Sequence, residues 1–150
     1  MKNDIQRIAA IGCDHAGFPY KKAVESILKD RKFHVLDMGT NSTDPVDYPD
    51  FVHPVAEAIE NGDAEFGFLI CGSGNGVCMT VNKHKNVRGI ISWNREVASL
   101  GRKHNNANVL CLPARFVSRT MVTLMVKTFL DTEFEGGRHQ RRVDKIGCGL

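Results

Sequence analysis

No apolar run in the 150 residues approaches the ~20 needed to cross a bilayer, and the amino end lacks the charged-then-apolar pattern of a secretory leader. The chain therefore reads as cytosolic, with no membrane partner. Charge of one sign is scarce too: 20 Lys and Arg against 17 Asp and Glu leave a net +3. The basic residues are dispersed except for Arg138, Arg141, Arg142 and Lys145, which argues against a nucleic-acid surface and for a local anion site. The five cysteines (Cys13, Cys71, Cys78, Cys111, Cys148) include no C-x-x-C pair. Their odd number and apolar settings suit reduced thiols better than a disulfide or zinc framework. Repeats, low-complexity tracts and linkers are missing. With 42% hydrophobic and 25% charged residues, the length fits one domain over 1–150.

Two nucleotide signatures are also lacking. Gly12 and Gly17 have the spacing of a phosphate loop, but Phe18 stands where its lysine belongs. The glycines at 72, 74 and 76 run G-x-G-x-G, with Val77 in place of the third dinucleotide glycine, and no acid closes the following strand near Ser92.

What is present centres on FGFLICGSGNGV, residues 66–77. An apolar run ends in Cys71, and Gly72, Gly74 and Gly76 allow a tight turn whose backbone N–H groups face a ligand. A thiol beside an anion-binding turn suggests chemistry on an anionic substrate. Glycines that only permit close helix-on-strand packing are the competing reading.

Strand-like runs at 7–12, 33–37, 66–71, 87–92 and 108–112 alternate with helix patterns near 19–30, 51–61, 76–85, 94–104 and 115–130. Such alternation predicts an α/β fold with a parallel sheet covered on both faces. Ligands of open parallel sheets bind beyond the carboxyl ends of the strands. Those positions hold Cys13 to Gly17, Cys71 to Gly76, and Pro113 to Arg115. Asp14 and His15 do not read as a metal pair, because adjacent ligands point apart and no further cluster completes a shell. The loop from Met38 to Asp50 could border the same cleft, with Tyr48 either a wall of it or a packing residue. In the tail, Gly136 and Gly137 precede a helical start that puts Arg138 and Arg142 on one face, where two guanidinium forks could grip a phosphate. A solvated terminal helix is the plainer alternative.

Five motifs in register, IGCDHAGF, DYPDF, LICGSGNG, RKHNNANVL and FEGGRHQRRV, resemble the ribose-5-phosphate isomerase B family, which includes galactose- and allose-6-phosphate isomerases. The resemblance implies a Rossmann-like three-layer α/β/α sandwich with a five-stranded parallel sheet, assembled as a homodimer or a dimer of dimers. It also implies aldose–ketose isomerisation of a phosphorylated sugar, without metal or organic cofactor, at a site between subunits. By position, Cys71 matches the catalytic base, and Val77 stands where another branch of the family has a glutamate. Ser73 with the amides of Gly72, Gly74, Asn75 and Gly76 would hold the enediolate. His104 matches the ring-opening histidine, with Asn105 beside it and Asp14 across the site. His15, Arg115, Arg138 and Arg142 match phosphate-binding positions. Ribose 5-phosphate is the expected substrate, a hexose 6-phosphate the close competitor, and a non-catalytic sugar-phosphate module the alternative from another class.

These residue types suit the chemistry. The turn amides and helix start are expected to lower the Cys71 thiol from its ordinary ~8.5 towards neutrality, although a packing cysteine is the bland option. An imidazole at the end of a helix can shuttle protons to a sugar ring, or merely cap that helix. His34, His53 and His84 read as surface or packing residues, and His139 has no clear role.

Overall fold

A computed structural model describes residues 5–148. The elements run β1 (Ile8–Cys13), α1 (Phe18–Asp30), β2 (His34–Asp37), α2 (Pro49–Glu60), β3 (Phe66–Cys71), α3 (Asn75–Val81), β4 (Gly89–Ile91), α4 (Arg95–Asn105), β5 (Val109–Pro113), α5 (Arg119–Asp131) and α6 (Arg138–Val143). The strands form one all-parallel sheet in the order β2-β1-β3-β5-β4.

All six residues of β3 are buried, because this central strand is covered on both faces. Its side chains divide between the two faces with the period of two that a strand imposes. Phe66, Phe68 and Ile70 join Val24, Leu28, Ala98, Leu110, Met125 and Phe129 beneath α1, α4 and α5. Leu69 and Cys71 join Val52, Val55, Val77, Val81 and Cys111 beneath α2 and α3. Phe129 meets both Phe66 and Phe68 edge-on, with ring centroids 5.5 and 5.8 Å away. This geometry suits the aromatic quadrupole and ties α5 to the middle of the sheet. The result is a parallel sheet covered on both faces, as the alternating pattern predicts, and so the three-layer α/β/α sandwich that the resemblance implies.

The strand expected over 87–92 is only Gly89–Ile91, and two helix boundaries differ from the pattern by four residues each. The helix expected from 115 starts at Arg119, where the Ser118 side chain accepts from the Met121 N–H at 3.1 Å. Upstream, the Ala114 and Arg115 N–H groups donate to Cys71 and Gly72 carbonyls at 2.8 and 3.0 Å, so they are committed to the β3 end. The helix after the glycine turn stops at Val81 instead of 85. The Asn82 amide nitrogen donates to Cys78 and Gly89 carbonyls, and its oxygen accepts from the Gly89 N–H. Among the described residues, no helix is long and apolar enough to cross a membrane.

Candidate active site

Three strand ends are stitched into one floor. The Asp14 N–H, just past β1, donates to the Ile70 carbonyl, and the Asp14 carboxylate accepts from the Ala16 and Gly17 N–H groups at 3.0 and 2.9 Å. A Cβ on Gly17 would lie 2.1 Å from the Ile70 carbonyl oxygen, so only glycine lets this turn lie against β3. Asp14 is thereby buried and faces the site as a carboxylate already engaged with its own turn.

Beside it, the His15 Nδ1 accepts from the Val46 N–H at 3.2 Å. An imidazole that accepts at Nδ1 and is neutral carries its proton on Nε2, leaving a donor for an anion. The loop that supplies Val46 is pinned at its start. The buried Lys21 ammonium donates to Asp37 at 2.9 Å, to the Thr40 carbonyl at 2.7 Å and to Asn41 at 2.9 Å. Three acceptors saturate its three donors, which is what a buried lysine requires.

After β3, the chain turns through Gly74 with φ of 77°, a left-handed conformation that favours glycine. The turn folds back so that the Gly74 N–H donates to the Cys71 sulfur at 3.1 Å. Ser73 is exposed and its hydroxyl accepts from the Asn75 N–H at 3.3 Å. The Arg115 guanidinium lies over Gly72, where an added Cβ would meet Nη1 at 3.2 Å. The Tyr48 ring lies so close to Gly76 that a Cβ there would come within 2.5 Å of it. Tyr48 therefore packs on the turn while staying 39% exposed.

The electrostatics of Cys71 correct one expectation. Burial pushes its thiol up from the ordinary value, and the Asp14 charge adds to this; hydrogen bonds from the Val77, Gly74 and Ser73 backbone pull it down without overcoming the burial. The turn amides act in the expected direction, but the low-dielectric pocket floor outweighs them.

The expected residues fall into two groups. Asp14, His15, Cys71, Gly72, Ser73, Gly74, Asn75, Gly76 and Arg115 share the carboxyl ends of the strands. His104 and Asn105 close α4, just before β5 begins at Val109. The β3/β5 register pairs Gly67 with Val109 and Cys71 with Pro113. Four residues of advance at ~3.3 Å each separate these ends by about 13 Å along the strands. Helix α6, with Arg138 and Arg142 exposed on it, packs on α4, and the Glu135 N–H donates to the Lys103 carbonyl at 3.1 Å. Within one chain, His104, Asn105, Arg138 and Arg142 thus lie at the opposite end of the sheet from Cys71.

Around His104 the structure adds two residues that the sequence did not single out. The His139 ring is buried and stacks on His104 with centroids 4.3 Å apart and planes 12° from parallel. Its Nε2 lies 3.5 Å from a Glu135 carboxylate oxygen. The signal was the spacing of His139 and Val143, four apart like the two arginines and marking the inward face of α6. His104, Glu135 and His139 bring one ligating atom each to within 4.8 Å of one another. With near-parallel rings, however, the in-plane lone pairs do not converge on a shared ion.

Elsewhere, His53 and His84 are not isolated: the His53 Nδ1 and His84 Nε2 are 2.7 Å apart, and the His84 Nδ1 is 3.0 Å from Glu60. A cavity of about 480 Å³ lined by Asn82, His84, Arg88, Asn106, Gln140 and Ile146 also lies at the strand-start end, away from Cys71.

Comparison with known proteins supplies the context for this arrangement. A family profile described as ribose/galactose isomerase matches residues 9–146. The Escherichia coli ribose-5-phosphate isomerase B is 39% identical over 137 residues, covering 91% of this chain and 92% of that protein. The Thermotoga maritima ribose 5-phosphate isomerase structure is 41% identical, with a TM-score of 0.90 over 93% of this chain and 97% of that one. The Mycoplasma genitalium ribose-5-phosphate isomerase B, solved with bound ribulose 5-phosphate, is 46% identical, with a TM-score of 0.87 over 92% of each chain. Sequence match and fold agree over nearly the whole length, and the chain belongs to the ribose/galactose isomerase family.

Proposed function

We propose that this chain interconverts ribose 5-phosphate and ribulose 5-phosphate, in the cytoplasm, as a homodimer or a dimer of dimers whose active sites form between copies. The observation that carries the substrate is the 46% identical Mycoplasma genitalium structure, which holds ribulose 5-phosphate. In this reading the His104 imidazole of a second copy gives a proton to the ring oxygen and takes one from the anomeric hydroxyl, and the ring opens. The Cys71 thiolate takes the C2 proton of the aldose. The charge that develops on O1 is met by N–H groups between Gly72 and Gly76, with the Ser73 hydroxyl beside them. Cys71 returns the proton to C1 while the O2 proton passes to O1, so that the enediolate collapses to the ketose. The phosphate is held by the His15 Nε2–H and Arg115 from one copy and by Arg138 and Arg142 from the other. Binding energy gathered at that remote anchor positions the reacting carbons. Asp14 and Asn105 bind sugar hydroxyls.

Separation of the two residue groups supports a shared site, because one chain alone cannot bring His104 to Cys71. The test is a panel of pentose and hexose phosphates, following aldose-to-ketose conversion. Ribose 5-phosphate should turn over fastest, and Cys71→Ala should lose ~10²–10⁴ in rate. Faster turnover of allose or galactose 6-phosphate would overturn the pentose assignment, and near-wild-type activity of the alanine variant would remove Cys71 as the base.

A further inference from the structure

We infer that His139 is the positioning residue for His104: its buried ring clamps the His104 imidazole by face-to-face stacking and so couples the arginine-bearing helix to sugar-ring opening. The inference rests on the proposed ring-opening role of His104 and deepens it.

Three observations converge on this pair. The rings overlap at 4.3 Å with only 12° between their planes, so rotation of His104 about its Cβ–Cγ bond is blocked on one side. His139 is 5% exposed while His104 is half-buried, so the fixed member of the pair is the one without access to a substrate. The segment carrying His139 is bound to the helix end carrying His104 through the Glu135 N–H and Lys103 carbonyl, and Glu135 also reaches the His139 Nε2 at 3.5 Å.

A half-exposed imidazole at the end of a helix would otherwise sample several rotamers. An acid that must meet a ring oxygen within hydrogen-bond distance loses rate when its orientation is not held. His139 suits the role as a neutral ring. Burial lowers its proton affinity, as do His104, Arg138 and Arg142 in that order after it, with Glu135 opposing them. The stack therefore does not set two cations face to face at neutral pH. Arg138 precedes His139 directly in α6, and Arg142 follows one turn later. A phosphate that seats the two arginines also seats the surface on which His104 rests.

The experiment compares His139→Ala, His139→Phe and His104→Ala in the assembled enzyme. Pre-steady-state turnover of ribose 5-phosphate reports ring opening, inhibition by inorganic phosphate reports the anchor, and the His104 Cε1–H NMR resonance reports the stack through its ring-current shift. His139→Ala should slow the ring-opening phase by about tenfold to a hundredfold and move the His104 resonance downfield, with any loosening of α6 read separately as weaker phosphate inhibition. His139→Phe keeps a flat, neutral ring and should restore both the fast phase and the upfield shift. A wild-type ring-opening phase in His139→Ala, while His104→Ala is slow, overturns the positioning role alone. Equal defects in the alanine and phenylalanine variants overturn it as well, by showing that the stack is not what matters. A His104→Ala enzyme with no slow phase removes the ring-opening reading and this inference with it.

Discussion

At Cys71, burial opposes the turn amides, and burial prevails. The sign of the pH dependence follows. A thiol held above its ordinary value is mostly protonated at neutrality, so the thiolate fraction grows as pH rises through and beyond the free-thiol region near ~8.5. Iodoacetamide labelling of Cys71 should therefore rise about tenfold per pH unit from neutrality towards that region. A plateau already reached below neutrality, measured by mass spectrometry of the labelled thiol, would show that bound neighbours outweigh the burial. The position of Cys71 was legible, because an apolar run ending at glycines marks a strand end. Its electrostatics were not, since burial depends on Val77, Val81 and Cys111 closing over the same face, and these are distant or ambiguous in sequence. His139 was missed for a related reason: a histidine among arginines looks solvated until helix packing buries it, and only its four-residue spacing from Val143 hinted otherwise.

At the scale of elements, α6 is only six residues long, so its value lies in what it carries. Arg138 and Arg142 are one turn apart and exposed. Replacing either with alanine should raise KM by the worth of a charge-assisted contact, ~1.5–3 kcal/mol, or about ten- to a hundredfold. Arg141→Ala, a step round the helix, should change KM far less. Lysine at 138 or 142 should rescue only in part, since it keeps the charge and loses the fork. Steady-state KM values for the three alanine variants check this, and equal mild effects would return α6 to a solvated helix. The strands were read well because central parallel strands are continuous apolar runs. Boundaries slipped where a side chain decides them: Ser118 starts α5 and Asn82 ends α3.

For the whole molecule, opposite placement of the Cys71 and His104 groups was hidden in a linear reading, although the rule that sites collect at strand carboxyl ends already set His104 apart. A site shared between copies makes a quantitative demand. A Cys71→Ala chain and a His104→Ala chain, each inactive alone, should regain activity when unfolded together and reassembled. A heterodimer then contains one site with both groups intact and one with neither. Random pairing of equal amounts makes half the dimers mixed, so about a quarter of wild-type activity should return for a two-fold assembly. No recovery, with heterodimers verified by native mass spectrometry, would remove His104 from the site that holds Cys71.

The full burial of β3 has one more consequence. It is bonded to β1 on one side and β5 on the other and packed on both faces, so it spans the two ends of the sheet as a stiff spacer with no alternative length. A sugar phosphate seated at one end cannot lengthen or tilt that spacer to inform the other, and cooperativity requires a two-state element that both sites bias. Saturation by ribose 5-phosphate should be hyperbolic, with a Hill coefficient of about one. A sigmoidal curve would mean that the copies slide against one another as bodies while each sheet stays unchanged.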